Sequence, residues 1–210
     1  MATYKEKVGT AVINFAGNYP GAVDGQLWYD STNAAYKYQF PNKTTAGAWS
    51  TGGNMNTARL FAQNGAGTQI AGLVFGGLNE SAGQTKNETE QYNGSAWTEV
   101  NNLNTARYAG GGGGTQTSAL FAGGQPGINN SESWNGTNWT NTPTLNTGRG
   151  FFGAANQSAT AGLVFGGLGP PGGVAITELY NGSSWSEVND LNTARRSNPG
   201  VGSSLSLIHI

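Results

Sequence analysis

The tetrapeptide Asn-Thr-Ala/Gly-Arg occurs four times, beginning at Asn56, Asn104, Asn146 and Asn192. No other feature constrains the fold of this chain so strongly. The copies are 48, 42 and 46 residues apart. A tryptophan stands seven residues before each: Trp49, Trp97, Trp139 and Trp185. A Gly-Gly pair closes an apolar run at Gly76-Gly77, Gly123-Gly124 and Gly166-Gly167, and an Asn-Gly pair at Asn93, Asn135 and Asn181 precedes three of the tryptophans. Four markers in constant order mean internal repetition.

Each unit divides into four strand-sized pieces. A glycine-rich stretch follows the arginine, as in Leu60 to Gly67. An apolar run comes next, at Ile70 to Phe75, Ser118 to Ala122 or Thr160 to Phe165; a run this short and apolar predicts a strand buried on both faces. After a loop of variable length, a third strand ends in Tyr92, Trp134 or Tyr180. Asn-Gly then predicts a type I′ turn, since both residues tolerate positive φ, and a last strand begins near the tryptophan. A period in the forties with four strands per unit is that of propeller blades.

Here the chain resembles kelch repeats. The hallmarks stand at Phe75-Gly76-Gly77 with Tyr92 and Trp97, and at Phe165-Gly166-Gly167 with Tyr180 and Trp185; the second copy has Trp134 in place of the tyrosine. The resemblance implies an all-β fold of kelch-like β-propeller blades over residues 46–210, three complete four-stranded repeats plus a partial fourth. Kelch-type propellers close when about four to eight blades surround an axis, and Trp49 fits a strand that closes the ring. The terminal Leu205-Ser-Leu-Ile-His-Ile210 reads as the translated end of a transposon adapter, so 205–210 is expected to be a non-native scar on a longer natural protein. The rival expectation is a compact four-blade ring completed by Tyr36 to Phe40 and Trp49.

Residues 1–45 lack the repeat. Gly25-Gln-Leu-Trp28-Tyr-Asp-Ser-Thr-Asn33 followed by Tyr36-Lys-Tyr38 predicts a hairpin of alternating aromatics about a polar turn. The phrase Gly-x-Leu-Trp-Tyr-Asp-x-Thr resembles short hairpin modules of tailed-phage structural proteins. With kelch-like units behind it, the resemblance implies a virion protein, a tail fibre or host-attachment component. Its expected partners are other virion proteins or a host-surface glycan, with a homo-oligomer among the expected states. A cellular kelch-type interaction module is the alternative.

Composition sets the remaining bounds. Glycine supplies 35 of 210 positions and charged residues only 10%, against averages of about 7% and 25%. Six Trp, eight Tyr and eight Phe separate the chain from low-complexity sequence, because aromatics on this scale reward ordering when buried. A net charge of −1 offers no footprint for nucleic acid or anionic membrane. No apolar run approaches bilayer length, and the polar Met1 to Lys7 is not followed by an apolar stretch, so neither membrane insertion nor a signal peptide is expected. Without a signal peptide, Asn-x-Ser/Thr triplets such as Asn93-Gly-Ser read as turns.

Little material for catalysis remains. Cysteine is absent and His209 is the single histidine, so a serine triad, a His-based metal site or the copper-radical centre of some kelch-fold oxidases is not expected, nor any cofactor. Gly110 to Gly114 lacks the Gly-Lys-Ser/Thr of a phosphate loop and reads as a tight strand near the axis. Arg59, Arg107, Arg149 and Arg195 could ring one mouth of the propeller as an acidic-sugar site. Against that, Glu90, Glu132 and Glu178 recur two residues before the blade aromatic and predict bidentate scaffold pairs. A glycan-cleaving acid pair is the less expected role, since Asp24, Asp30, Glu80 and Asp190 are unrepeated and ungrouped. Candidate binding residues lie in the variable loops after the Gly pairs: Asn79, Glu80, Gln84, Lys86, Gln125, Asn129, Asn130, Pro170 and Pro171. Trp97, Trp139 and Trp185 are expected at buried, equivalent positions.

Overall fold

Every regular element among the described residues is a β-strand. The computed structural model describes residues 13–16, 27–38, 51–61, 65–79, 83–197, 200, 202–203 and 206–207, which fall in two units, Met1–Thr51 and Gly52–Ile210. Trp49, Glu80, Asp24 and His209 lie outside the described residues, as do residues 39–40 of the proposed ring closure.

In the first unit β1 (Ile13–Phe15) pairs parallel with β2 (Leu27–Asp30), which pairs antiparallel with β3 (Ala35–Tyr38). The hairpin is the expected one, whereas β1 carries no signal that the sequence displayed. Asp30 organises the turn: its Oδ1 accepts the Thr32 and Asn33 N–H groups at 3.0 and 3.3 Å, and its Oδ2 lies 2.9 Å from Lys37 Nζ.

The second unit holds three four-stranded antiparallel sheets. The first is β4 (Gly65–Thr68), β5 (Ala71–Phe75), β8 (Thr89–Tyr92) and β9 (Trp97–Val100), with a small arm, β6 (Leu78–Asn79) and β7 (Gln84–Thr85), between its second and third strands. The second sheet is β10 (Gly111–Thr115), β11 (Ser118–Ala122), β12 (Ser131–Trp134) and β13 (Trp139–Thr142). The third is β14 (Gly153–Ala154), β15 (Gly162–Phe165), β18 (Thr177–Tyr180) and β19 (Trp185–Val188), with its arm formed by β16 (Leu168–Gly169) and β17 (Gly172–Gly173). A further hairpin joins β20 (Gly202–Ser203) to β21 (Ser206–Leu207). The initial strands of the three sheets lie side by side, β10 between β4 and β14.

The sheets stack through two apolar layers. Strand β11 shows why its sequence is apolar throughout: Ala119 and Phe121 join Leu73, Phe75 and Trp139 against the first sheet, while Leu120 and Ala122 join Val164, Tyr180 and Trp185 against the third. Glycine in β10 follows from the same stacking. A Cβ on Gly111 would lie 2.5 Å from the Phe152 ring, and one on Gly113 would lie 2.4 Å from Asn156 O. The glycine run is thus a strand against a neighbouring sheet, not a phosphate loop.

Two local expectations need correction. Ile70, expected inside the buried strand, is 66% exposed because it occupies the turn between β4 and β5. The Asn-Gly connections are not type I′ turns. Only the glycine has positive φ (Gly94 93°, Gly136 94°, Gly182 93°). The asparagine instead uses its side chain: Asn93 Oδ1 accepts the N–H groups of Ser95 and Ala96, both at 2.9 Å, and Asn135 and Asn181 repeat the arrangement. A four-residue loop closed by an asparagine side chain relieves that residue of any need for a left-handed backbone.

Candidate binding surface

The repeated Arg and Glu meet inside the sheets. Arg59 Nη2 lies 2.6 Å from Glu90 Oε1, Arg107 Nη1 lies 2.5 Å from Glu132 Oε1, and Arg149 pairs with Glu178. All six side chains are fully buried. The carboxylate is completed by the repeat tetrapeptide itself. Asn104 and Thr105 donate their backbone N–H groups to Glu132 at 2.8 and 3.2 Å, and Asn56 and Thr57 do the same for Glu90 at 2.6 and 3.1 Å. The guanidinium also reaches strand-end carbonyls: Arg107 Nη2 donates to Phe121 O at 3.0 Å, and Arg59 Nη1 to Gly76 O at 2.7 Å. Burial pushes the Arg107 guanidinium below its ordinary pKa, opposed by the Glu132 charge beside it; an arginine so paired keeps its charge. This constellation is scaffold. Of the four repeated arginines Arg195 alone is exposed, and its Nε donates to Thr193 O at 3.5 Å.

The tryptophans follow the sheet order. Trp139 and Trp185 are buried at 6% exposure each, both wedged against the preceding sheet. Trp97 occupies the like position in the first sheet beside Tyr92, 4.9 Å between ring centroids, and is half-buried.

The variable segments leave their sheets at one recurring place, directly after the Gly pair. Each is tied by a single antiparallel bridge to the residue following the repeated arginine: Leu78 to Leu60, Gln125 to Tyr108 and Leu168 to Gly150. Gln84 is exposed on the first arm, and Pro170 and Pro171 form the exposed turn of the third. Lys86 is half-buried and pairs with Glu88 at 3.2 Å. Partial burial opposes ionisation of Glu88, but hydrogen bonds from its own and the Asn87 backbone N–H groups and from Lys86 outweigh it, so its pKa sits below the ordinary value. Asn129 braces its own loop, donating to Leu145 O at 3.2 Å, and Asn130 O accepts the Gly123 N–H at 2.8 Å. Asn79 lies half-buried in β6.

Beside the arms stands a feature that the sequence did not single out. Phe61, Tyr108 and Phe151, one from the start of each repeat, gather into a mutual cluster with centroids 5.5 Å (Phe61–Tyr108), 5.9 Å (Phe61–Phe151) and 6.2 Å (Tyr108–Phe151) apart. Phe61 is 41% exposed and the other two are half-buried. Position two after each repeated arginine has a left-handed backbone, with φ 51° at Phe61, 53° at Ala109, 54° at Phe151 and 56° at Ser197. Successive copies are linked there: Phe151 N–H donates to Ala109 O at 2.7 Å, and Ser197 N–H to Phe151 O at 2.6 Å. Since the aromatics are not in one column of the repeat, only this geometry reveals them as neighbours.

Among the described residues no helix is long and apolar enough to cross a membrane. Set beside known proteins, the chain matches no family model, and no curated protein is significantly similar to it.

Proposed function

We propose that residues 46–210 are kelch-like propeller blades and that the chain is a non-enzymatic virion protein, a tail-fibre or host-attachment component. Its loops would meet a host-surface glycan or another virion protein. The observation that carries the reading is the shared exit of the variable segments. Loops 78–87, 125–130 and 168–174 differ most between repeats, yet all leave at the same corner of their sheets and border the Phe61–Tyr108–Phe151 cluster, of which Phe61 is exposed. Variation concentrated on one face of a repeating scaffold is how repeat proteins change ligands without changing fold. Aromatic faces supply large, rigid contact area for a ligand that is part apolar and part polar, as a sugar ring is.

Buried pairing weighs against a cleaving enzyme. Glu90, Glu132 and Glu178 are each enclosed under an arginine, whereas an acid–base pair needs two carboxyl groups facing a substrate. The virion part of the reading rests on the resemblance of the Gly25 to Thr32 phrase to phage hairpin modules. A cellular interaction module would use the same loops.

Two measurements test the reading. On an array of bacterial surface glycans the chain is expected to bind a subset, and substitutions at Gln84, Lys86 or Pro170-Pro171 are expected to change that subset. Sequencing the flanking genome is expected to find tail, portal or capsid genes. Glycan indifference together with metabolic or regulatory neighbours would overturn the proposal in favour of the cellular module.

A further inference from the structure

One position joins the variable arms to the aromatic cluster. The residue after each Gly pair is bridged to the residue after the repeated arginine, and in the first and third sheets it is leucine, Leu78 and Leu168. In the second sheet it is Gln125. The Gln125 backbone N–H donates to Tyr108 O at 2.7 Å. Its side chain lies over Gly150, where a Cβ would stand 3.0 Å from Gln125 Nε2. Gln125 thus sits between Tyr108 and the residue preceding Phe151, two members of the ring cluster. It is half-buried, and among the described residues no hydrogen bond engages its side-chain amide. Leucine fills the same place in two of three sheets, so the scaffold does not require an amide there.

The rings beside it are not required by the scaffold either. Phe61 and Phe151 hold left-handed backbones at φ 51° and 54°, a region that bulky residues rarely enter and that folds retain chiefly at functional sites. Ala109 makes the same turn at φ 53° with no ring at all. The three ring centroids lie within 6.2 Å of one another, and neither they nor Gln125 carry a charge. A stable protein interface covers about 800 Å² on each partner. Three partly covered rings and one amide make a far smaller patch. One sugar ring fits it in size and in chemistry. Its C–H face can lie on aromatic rings, and its hydroxyls, each both donor and acceptor, can meet an amide that is likewise both.

We infer that Phe61, Tyr108, Phe151 and Gln125 form a subsite for one neutral hexopyranose residue. Its C–H face lies on the rings and two adjacent hydroxyls meet the Gln125 amide. The inference rests on the glycan reading of this face, and it makes Gln125 the residue that sets the orientation of the sugar. An acidic sugar is disfavoured, because its carboxylate finds no cation among these four side chains.

Saturation-transfer difference NMR on the full chain tests the subsite with four probes. Three are the neutral methyl glycosides of β-D-glucose, β-D-galactose and α-D-mannose. The fourth is methyl β-D-glucuronide, which differs from the glucoside only in its carboxylate. At least one neutral glycoside is expected to bind saturably and more tightly than the glucuronide, with transfer strongest at the C–H protons of one ring face. Gln125→Leu installs the residue of the other two sheets and keeps the backbone bridge. It should therefore hold the melting temperature while weakening that glycoside about tenfold. Binding unchanged in Gln125→Leu would overturn the subsite, as would a glucuronide that binds more tightly than every neutral glycoside. Failure of all three neutral glycosides would overturn it too. Array binding that persists in that case leaves the host-glycan reading standing on the arms, whereas its absence removes both.

Discussion

Trp139 donates its indole N–H to Thr89 Oγ1 at 3.0 Å across the boundary between the first two sheets, while its ring meets Phe75 edge-on at 4.8 Å. One residue thus closes both the apolar layer and its polar remainder. At the next boundary Trp185 Nε1 and Ser131 Oγ are each buried without a partner. The two boundaries should therefore differ in coupling. A double-mutant cycle of Trp139→Phe with Thr89→Val is expected to show an interaction of about 1 kcal/mol, the net value of a buried hydrogen bond. The cycle of Trp185→Phe with Ser131→Ala should show almost none. Urea unfolding of the two sets of variants provides the comparison, and equal couplings would remove the distinction.

The buried ion pairs lead to a second prediction. Glu178→Gln leaves the buried Arg149 guanidinium without its charge partner, whereas Arg149→Lys keeps the charge but lacks the fork that also reaches Thr147 O and Gly166 O. The first is expected to cost about 3–5 kcal/mol and the second about 1–3 kcal/mol. Arg195→Lys, at an exposed position with no carboxylate partner among the described residues, should stay within about 0.5 kcal/mol. Chemical denaturation of all three variants checks the contrast. A large loss at Arg195 in the isolated chain would mean that its guanidinium is already engaged.

Sequence and structure agree most closely where one residue type has one physical task. The Arg and Glu recur because a buried charge requires an opposite one, so their pairing was legible from recurrence alone. The backbone share of Asn104 and Thr105 in capping Glu132 was not, because any residue type carries an N–H. Asn93 misled in another way. Asparagine can enter the left-handed region or accept hydrogen bonds at Oδ1, and composition does not say which it does. The Phe61, Tyr108 and Phe151 cluster escaped notice because its members occupy positions one or two after the arginine, out of register with one another. Strand β1 is three residues long, too short for a hydrophobic period to declare itself.

Glu88 gives a pH prediction. Its folded pKa lies below the ordinary value, so its ionised form contributes stability above the ordinary carboxylate range, and that contribution is lost as pH falls through the folded value. Glu88→Gln should be less stable than the native chain at neutral pH, and the two should converge as the medium becomes acidic. Thermal melts of both proteins across the acid range measure this. A gap that stays constant with pH would assign the effect of the substitution to packing.

The last prediction separates a binding platform from a core plug. Phe61 holds a left-handed backbone at φ 51°, a conformation that costs a bulky L-residue about 1–2 kcal/mol, and its ring touches Tyr108 and Phe151. Asparagine tolerates that backbone, so Phe61→Asn recovers most of the strain. It forfeits two ring contacts worth about 0.5–1.5 kcal/mol each. The opposing terms nearly cancel, and stability should change by no more than about 1 kcal/mol. Glycan retention, in contrast, should fall sharply, because the most exposed ring of the cluster is gone. Measuring unfolding and array binding on the same variant decides the matter. Unchanged retention with a stability loss of about 3 kcal/mol would make the three rings a structural plug and leave ligand contact to the arms alone.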